Sequence, residues 1–292
     1  MNQVFYDPVL ENEFAVHGYV TLPLLDKKEV QELHDAYDQL EKPASEGFHC
    51  SMFSPDVHYR KHVDALIKEA VSNKLDSVLV NYRQLCANFM VKEPEGESDW
   101  FVHQDWTFVD ETKSTSLAVW TPLTDVGAEN GALYVVPGSH KIENMIRGPG
   151  VPDPYKNLHQ VIREKYSKMV PLKAGQAILW HHRLVHFSPS NLSSKVRVAP
   201  TIIMVPSNAP VFHYLCQDKN EIQPKAEKFE VDTDFFMHYS IREQPQKVES
   251  SGMAYCSFQE VTENQLYQVL TEKPNHDGGF INKIQRLFTK SA

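Results

Sequence analysis

The run Thr115-Ser-Leu-Ala-Val-Trp-Thr-Pro122, followed by Asn130-Gly131-Ala-Leu-Tyr-Val-Val-Pro137-Gly138, decides the fold. Two short stretches rich in β-branched and aromatic residues flank a polar connection, as half-buried strands do. Asn130-Gly131 between them is a hairpin cue, because both residues tolerate positive φ. Pro137-Gly138 marks the next turn. Similar short runs occur at 82–92, 176–180, 185–188 and 196–205. Many short strands with irregular connections predict a mainly β chain with flanking helices, built on a jelly-roll (double-stranded β-helix, cupin-like) core rather than on alternating βα units.

Outside this core the periodicity changes. The segment 14–22, with Gly18 at its centre, reads as a short strand. Asp26 is a credible N-cap for a helix over 27–42, with Val30, Leu33, Tyr37 and Leu40 on one face, and Pro43 ends it. A second helical stretch over 56–80 carries Val63, Leu66, Ile67 and Ala70 at helical spacing. The polar stretch 141–168, with three prolines or glycines in Gly148-Pro149-Gly150, reads as a substrate lid over the barrel mouth. Beyond 206 the chain is mixed and partly helical, and the apolar run 229–239 has the mass to pack back on the core. One domain over 1–292 is expected, with a core at 14–205 and a C-terminal extension at 206–292.

Composition narrows the function. The 292 residues are 41% hydrophobic and 23% charged, ordinary for a globular chain with a sizeable core. The net charge of −9 is spread along the sequence without a Lys/Arg tract, which disfavours nucleic acid and anionic membrane as partners. The four cysteines are far apart and lack Cys-x-x-Cys spacing, so zinc frameworks are excluded and reduced structural thiols expected. With no signal-like N-terminus, no membrane span and a C-terminal Lys-Ser-Ala unlike a peroxisomal address, the expectation is a cytoplasmic monomer or homodimer.

The chemistry sits in His103-Gln104-Asp105 and in His186, some eighty positions later. His103 and Asp105 alternate on a strand or its edge and so share a face, with His186 expected from the opposite sheet. Two imidazoles and one carboxylate are the ligand set of a non-haem Fe(II) site that keeps half its coordination sphere open. Arg197, eleven residues beyond His186, suits an acidic co-substrate. The alternative is a surface ion pair between His103 and Asp105, with His186 a satisfied core histidine.

Four motifs in order resemble the phytanoyl-CoA dioxygenase family of Fe(II)/2-oxoglutarate oxygenases. They are His103-Gln-Asp105-Trp106, Val119-Trp-Thr-Pro-Leu-Thr-Asp125, Asn130-Gly131 through Lys141, and His186-x-Ser188-x-x-Asn191-x-Ser193-x-x-x-Arg197. The resemblance covers roughly 14–205. It implies Fe(II) on His103, Asp105 and His186, with Arg197 gripping the distal carboxylate of 2-oxoglutarate. It places Trp120 in the wall of the co-substrate pocket. Lys92 falls where some members put a polar group near the co-substrate, or it is a solvated strand end. Ser188 offers its hydroxyl to the same carboxylate, or is satisfied by backbone. The implied reaction consumes O2 and 2-oxoglutarate, releases succinate and CO2, and hydroxylates or desaturates a small-molecule substrate. Halogenation is disfavoured, because Asp105 fills the position that related halogenases leave to a halide.

Other residues read differently. His181 and His182 lack the downstream Ser/Asn/Arg pattern and are not expected as ligands, and His140, after Pro-Gly-Ser, reads as a cap. Phe48, Phe101, Trp106, Phe108 and Tyr134 line a substrate pocket or pack in the core. A cupin-like metal-binding protein, or an isomerase or hydrolase using another metal, is the competing class, and a non-catalytic scaffold is a third. Neither competitor needs Arg197 and Trp120. Substrate specificity is expected in 45–60, 141–168 and the C-terminal extension, for a small polar or amphipathic metabolite.

Overall fold

The computed structural model describes residues 3–42, 46–94, 96–142, 145–217, 223–239, 242 and 244–271. Pro43 and the C-terminal Lys-Ser-Ala lie outside them. The chain opens on α1 (Pro8–His17), begun by the Asp7 carboxylate accepting from Val9 N and by Pro8 in the first turn. Gly18 closes it in the left-handed conformation at φ 80°. The expected strand over 14–22 is therefore split, since 14–17 complete this helix and only β1 (Tyr19–Pro23) is extended. Gly18 is the hinge, and an added Cβ there would lie 2.4 Å from His140 Nδ1.

α2 (Lys27–Gln39) starts with a full capping box between Asp26 and Glu29 and stops three residues before the expected end. α3 (Val57–Val78) buries Tyr59, Val63, Ile67, Val71 and Leu75, one stripe at four-residue spacing. Each such buried aliphatic contributes about 1.5–3 kcal/mol relative to exposure.

The remaining core is β. A six-stranded antiparallel sheet contains β1, β2 (Phe48–Cys50), β3 (Tyr82–Lys92), β5 (Leu117–Trp120), β8 (Gln176–His181) and β10 (Arg197–Pro206). Its order is β1-β8-β5-β10-β3-β2. The second sheet is β4 (Trp100–His103), β9 (His186–Ser188), β6 (Leu133–Val135) and β7 (Lys168–Val170), in that order. Two facing antiparallel sheets are the jelly roll that the strand pattern predicts. Asn130-Gly131 does form a tight turn, with Gly131 at φ 75° and Gly127 N donating to Asn130 Oδ1. It does not close a hairpin, however. β5 and β6 belong to different sheets, so the turn carries the chain across the sandwich.

Strand alternation gives the large sheet two faces. Leu117, Val119, Leu179, Val198, Phe89 and Val91 point outward into a core shared with α1, α2 and α3. Ala118, Trp120, Ile178, Trp180 and Ala199 point inward against Leu133, Val135 and Val170 of the small sheet. The register Thr201↔Trp120, Thr201↔Asn88 and Arg197↔Lys92 sets Asn88, Met90, Lys92, Arg197 and Thr201 on that same inner face. The chemistry is built there.

The rest of the chain is applied to this sandwich. α4 (His159–Val161) and a following π turn (Ile162–Tyr166) interrupt the expected lid. β11 (Val211–Leu215), β12 (Lys225–Val231) and β13 (Ser250–Tyr255) make a third sheet. α5 (Phe235–His238) buries Phe235, Phe236 and Met237 against Leu85, Phe108 and Val205, as the apolar run 229–239 predicts. α6 (Glu263–Thr271) packs through Leu266 near Val136 and Ile142. The four cysteines are buried thiols without disulfides. Among the described residues no helix is long and apolar enough to cross a membrane.

Candidate metal centre and its cavity

His103 ends β4 and His186 begins β9, and the two are direct register partners, with ring centroids 4.3 Å apart. His186 thus comes from the neighbouring strand of the same sheet, not from the opposite sheet as its distance in sequence suggested. β4 is an edge strand inserted beside β9, which brings remote sequence into one ladder. Asp105 lies two residues past β4, and its Oδ1 is 3.8 Å from Nε2 of each histidine. The three prospective ligand atoms all lie within 4.8 Å of one another.

Hydrogen bonds aim the imidazoles. His103 Nδ1 lies 2.8 Å from Phe101 O and His186 Nδ1 lies 2.9 Å from Leu184 O. A carbonyl only accepts, so both Nδ1 atoms carry the proton and both Nε2 atoms are left as acceptors; the Trp100 Nε1–H donates to His103 Nε2 at 3.2 Å. Trp180, from the inner face of the large sheet, donates Nε1–H to Asp105 Oδ2 at 2.7 Å. Burial, with His186 nearby, pushes the His103 pKa down to about 4. Burial opposes the charge on Asp105, yet the imidazoles of His186, His182 and His103 and the Trp180 N–H hold its pKa below the ordinary value. Two imidazoles and a carboxylate are a donor set that fits a divalent iron.

Arg197 is the first residue of β10 and only 2% exposed. Its guanidinium lies 5.2 Å from the Trp120 ring and donates from one terminal nitrogen to Met90 O at 3.4 Å. Its Nε has no partner, and neither does the buried Thr201 hydroxyl four residues along the same face. Burial alone pushes the Arg197 pKa down to about 9. A guanidinium so enclosed is costly without an anion beside it, and a carboxylate is the natural complement. Ser188, by contrast, already donates its hydroxyl to Gly131 O at 2.8 Å. Lys92 is not a solvated strand end either; it is fully buried, and its ammonium is taken up by three backbone carbonyls.

A cavity of about 270 Å³ opens beside the triad. Phe101, Trp106 and Phe108 line it, as the sequence suggested. Phe48 instead packs on Trp100, with centroids 4.4 Å apart, and Tyr134 stacks on Phe187 at 5.0 Å. His181 and His182 do not join the triad. His182 pairs through Nδ1 with Ser116 Oγ at 2.7 Å, and His181 Nδ1 accepts from Arg183 N. His140 reaches Ala15 O in the last turn of α1, consistent with a capping role.

Among the wall residues that sequence reasoning did not single out are Trp100, Arg147, Trp180 and Phe236. Inward alternation along β8 would have found Trp180. Arg147 gives no local signal, since its role depends on a partner 36 positions away. It makes a buried bidentate pair with Glu111, at 3.0 and 2.6 Å, while its Nε donates to Asp105 O at 2.6 Å. Residues 145–168 of the expected lid are therefore pinned rather than free. Arg147 ties them to the metal loop, and Tyr155, Leu158 and Ile162 are buried in a core cluster.

The geometry agrees with comparison to known proteins. The family model for phytanoyl-CoA dioxygenase (PhyH) matches residues 14–199. A phytanoyl-CoA dioxygenase of Arabidopsis thaliana is 30% identical over 52% of this chain and 56% of its own. Phytanoyl-CoA dioxygenase domain-containing protein 1 of Danio rerio is 30% identical over 46% of this chain and 48% of its own. The chain thus spans about half the length of the curated relatives it matches. Among solved structures, the non-heme alpha ketoglutarate dependent epimerase SnoN from nogalamycin biosynthesis superposes with a TM-score of 0.51 at 22% identity, covering 74% of this chain and 89% of that one. HygX from Streptomyces hygroscopicus, with nickel and 2-oxoglutarate bound, gives 0.51 at 14% identity over 69% and 88%. These two likenesses concern the fold. The match over residues 14–199 establishes that the chain belongs to the phytanoyl-CoA dioxygenase family.

Proposed function

We propose that this chain is a single-domain, non-haem Fe(II)- and 2-oxoglutarate-dependent dioxygenase that hydroxylates a compact, largely apolar small molecule, releasing succinate and CO2. One observation carries the reading. His103 Nε2, Asp105 Oδ1 and His186 Nε2 converge beside a cavity, and the sheet face that lends Met90 and Thr201 to its wall also holds the buried Arg197 guanidinium, whose Nε has no partner. His103, Asp105 and His186 would hold the metal on one face, and Arg197 would pair with the distal carboxylate of 2-oxoglutarate beside Trp120. The metal and its co-substrate, when bound, supply the activation of O2. The protein orients both and keeps water out with Trp100, Trp106, Phe108 and Phe236.

Of the polar or amphipathic metabolite expected from sequence, the wall chemistry supports a ligand with a largely apolar body over a wholly polar one. Arg147 is committed to Glu111, and Asp153 to His159 at 2.6 Å. The remaining walls are mostly apolar, with aromatic rings and methionines such as Met52 and Met90, interrupted by the polar Asn88, Gln104, His182, Thr201 and Arg242. A volume of about 270 Å³ sits just below the usual range of roughly 300–1,000 Å³ for small-molecule sites, which favours a compact ligand.

Anaerobic titration with Fe(II) and then 2-oxoglutarate tests the cofactors. A succinate-release screen over matched apolar and polar compounds, with product masses, tests the reaction. Gain of one oxygen atom supports hydroxylation. An isomeric product of unchanged mass points to epimerisation, and indifference to iron and 2-oxoglutarate removes the reading.

A further inference from the structure

Lys92 is the last residue of β3 and has no solvent exposure. Burial and the nearby Arg197 push its pKa down to about 6, yet three carbonyls gathered on Nζ are satisfied together only by the ammonium, which carries three donors and no acceptor. Its Nζ donates to Ser98 O at 2.6 Å, Ser188 O at 2.7 Å and Pro189 O at 2.5 Å. Ser98 stands two residues before β4, the strand that ends on His103. Ser188 ends β9, the strand that begins on His186, and Pro189 follows it. One side chain therefore joins the backbone arriving at one imidazole to the backbone leaving the other.

Neighbouring bonds close the clasp. Asn191 Nδ2 donates to Lys92 O at 3.1 Å, Asn191 N donates to Ser98 Oγ at 2.9 Å, and Ser98 N donates to Ser190 Oγ at 3.2 Å. Lys92 is also the register partner of Arg197, so the strands bearing both histidines are fixed against the strand bearing the buried guanidinium. All three N–H groups are consumed by carbonyls, which leaves none for a co-substrate carboxylate. An apolar residue would fill a simple core position at lower desolvation cost.

We propose that Lys92 is a positioning residue that sets the spacing of His103 and His186, and hence iron affinity, without touching iron or 2-oxoglutarate. The inference rests on the reading of the triad as an iron site. The polar clasp replaces the two roles considered from sequence, co-substrate contact and solvated strand end.

The test compares three full-length variants with wild type. Lys92→Met keeps the stem and removes the donors. Gly131→Ala keeps the charge but places a Cβ 2.9 Å from Lys92 Cδ and 2.8 Å from Pro189 O, so it pushes on the clasp from the other side. Val119→Ala trims the outer face of the same sheet and serves as a stability control. Anaerobic titrations give the Fe(II) affinity and, at saturating Fe(II), the 2-oxoglutarate affinity, while thermal melts report stability. The expected result is about a tenfold or greater loss of Fe(II) affinity in Lys92→Met and Gly131→Ala. Their 2-oxoglutarate affinity stays within about threefold, and Val119→Ala retains Fe(II) affinity despite a lowered Tm. Loss of 2-oxoglutarate affinity with iron binding intact makes Lys92 a co-substrate contact and overturns the proposal. An equal loss of Fe(II) affinity in Val119→Ala also overturns it, by reducing the effect to stability. If Lys92→Met does not fold, Gly131→Ala decides alone. A wild type that takes up no Fe(II) removes the reading of the site itself, a separate outcome from any difference among variants.

Discussion

Trp180 and Asp105 are joined across the gap between the two sheets by a single 2.7 Å hydrogen bond from indole Nε1 to carboxylate Oδ2. That bond leaves Oδ1 as the oxygen facing both histidines. Trp180→Phe keeps most of the ring packing but deletes the donor, so Asp105 is free to rotate. Fe(II) affinity should fall by roughly 10–100-fold with the fold retained, the usual effect of removing a partner behind a metal ligand. Anaerobic titration with a circular-dichroism control checks it. Unchanged affinity would show that Asp105 is oriented by something else.

Arg197→Met separates stability from binding. The native guanidinium is buried with its Nε unpartnered, so the unliganded variant should melt at or above the wild-type temperature. Its 2-oxoglutarate affinity should fall about a hundredfold or more, since a charge-assisted bidentate pair contributes about 3 kcal/mol. Thermal shift with and without 2-oxoglutarate reads both effects in one experiment, and iron affinity should hardly move.

Arg147→Ala strands the Glu111 carboxylate in the interior, where its ion-pair partner among the described residues was the lost guanidinium. The expected cost is about 3–5 kcal/mol in urea unfolding. Replacing both partners, Arg147→Met with Glu111→Leu, should recover most of that loss. Iron affinity should stay reduced in the double variant, because the Arg147 Nε bond to Asp105 O is absent in either case.

Buried imidazoles set the acid side of the stability profile. Burial pushes His213 and His182 down to about 4 and His140 to about 3. Each folded-state value lies below the unfolded one near 6.5, so the unfolded chain binds more protons in that window. Stability is therefore fully present above about pH 6.5 and is lost as pH falls toward 4. His213 packs between Phe229 and Phe235, far in the chain from the triad. His213→Phe should flatten the slope of stability between pH 6.5 and 4, by an amount on the order of 3 kcal/mol at full protonation. A slope identical to wild type would sink the assignment.

The residues legible in sequence were those whose signal is local or recurs in a spaced motif. Asp26 declares a helix N-cap from its own position, and His186 through Arg197 declares its chemistry within twelve residues. The strand-rich interior was readable from β-branched runs. What was not readable depended on pairing between remote segments. Nothing in 100–105 or 185–188 says that those two strands lie side by side, so His186 was assigned to the wrong sheet. Phe14 to His17 reads as strand, and only the Asp7 cap and the Gly18 turn make it the last turn of a helix. Arg147 and Glu111 look like ordinary surface charges until the loop between 145 and 154 folds over Asp105.

The pairing of His103 with His186 in one ladder has a further consequence. Backbone hydrogen bonds between these strands hold the two imidazoles side by side, so the proposed site should be preorganised rather than assembled around its metal. Chelation should strip the site while leaving far-ultraviolet ellipticity and the cooperative melt intact, in contrast to small zinc domains that collapse when their ion is withdrawn. Reloading should then proceed without a folding step, at a rate governed by access through the aromatic mouth.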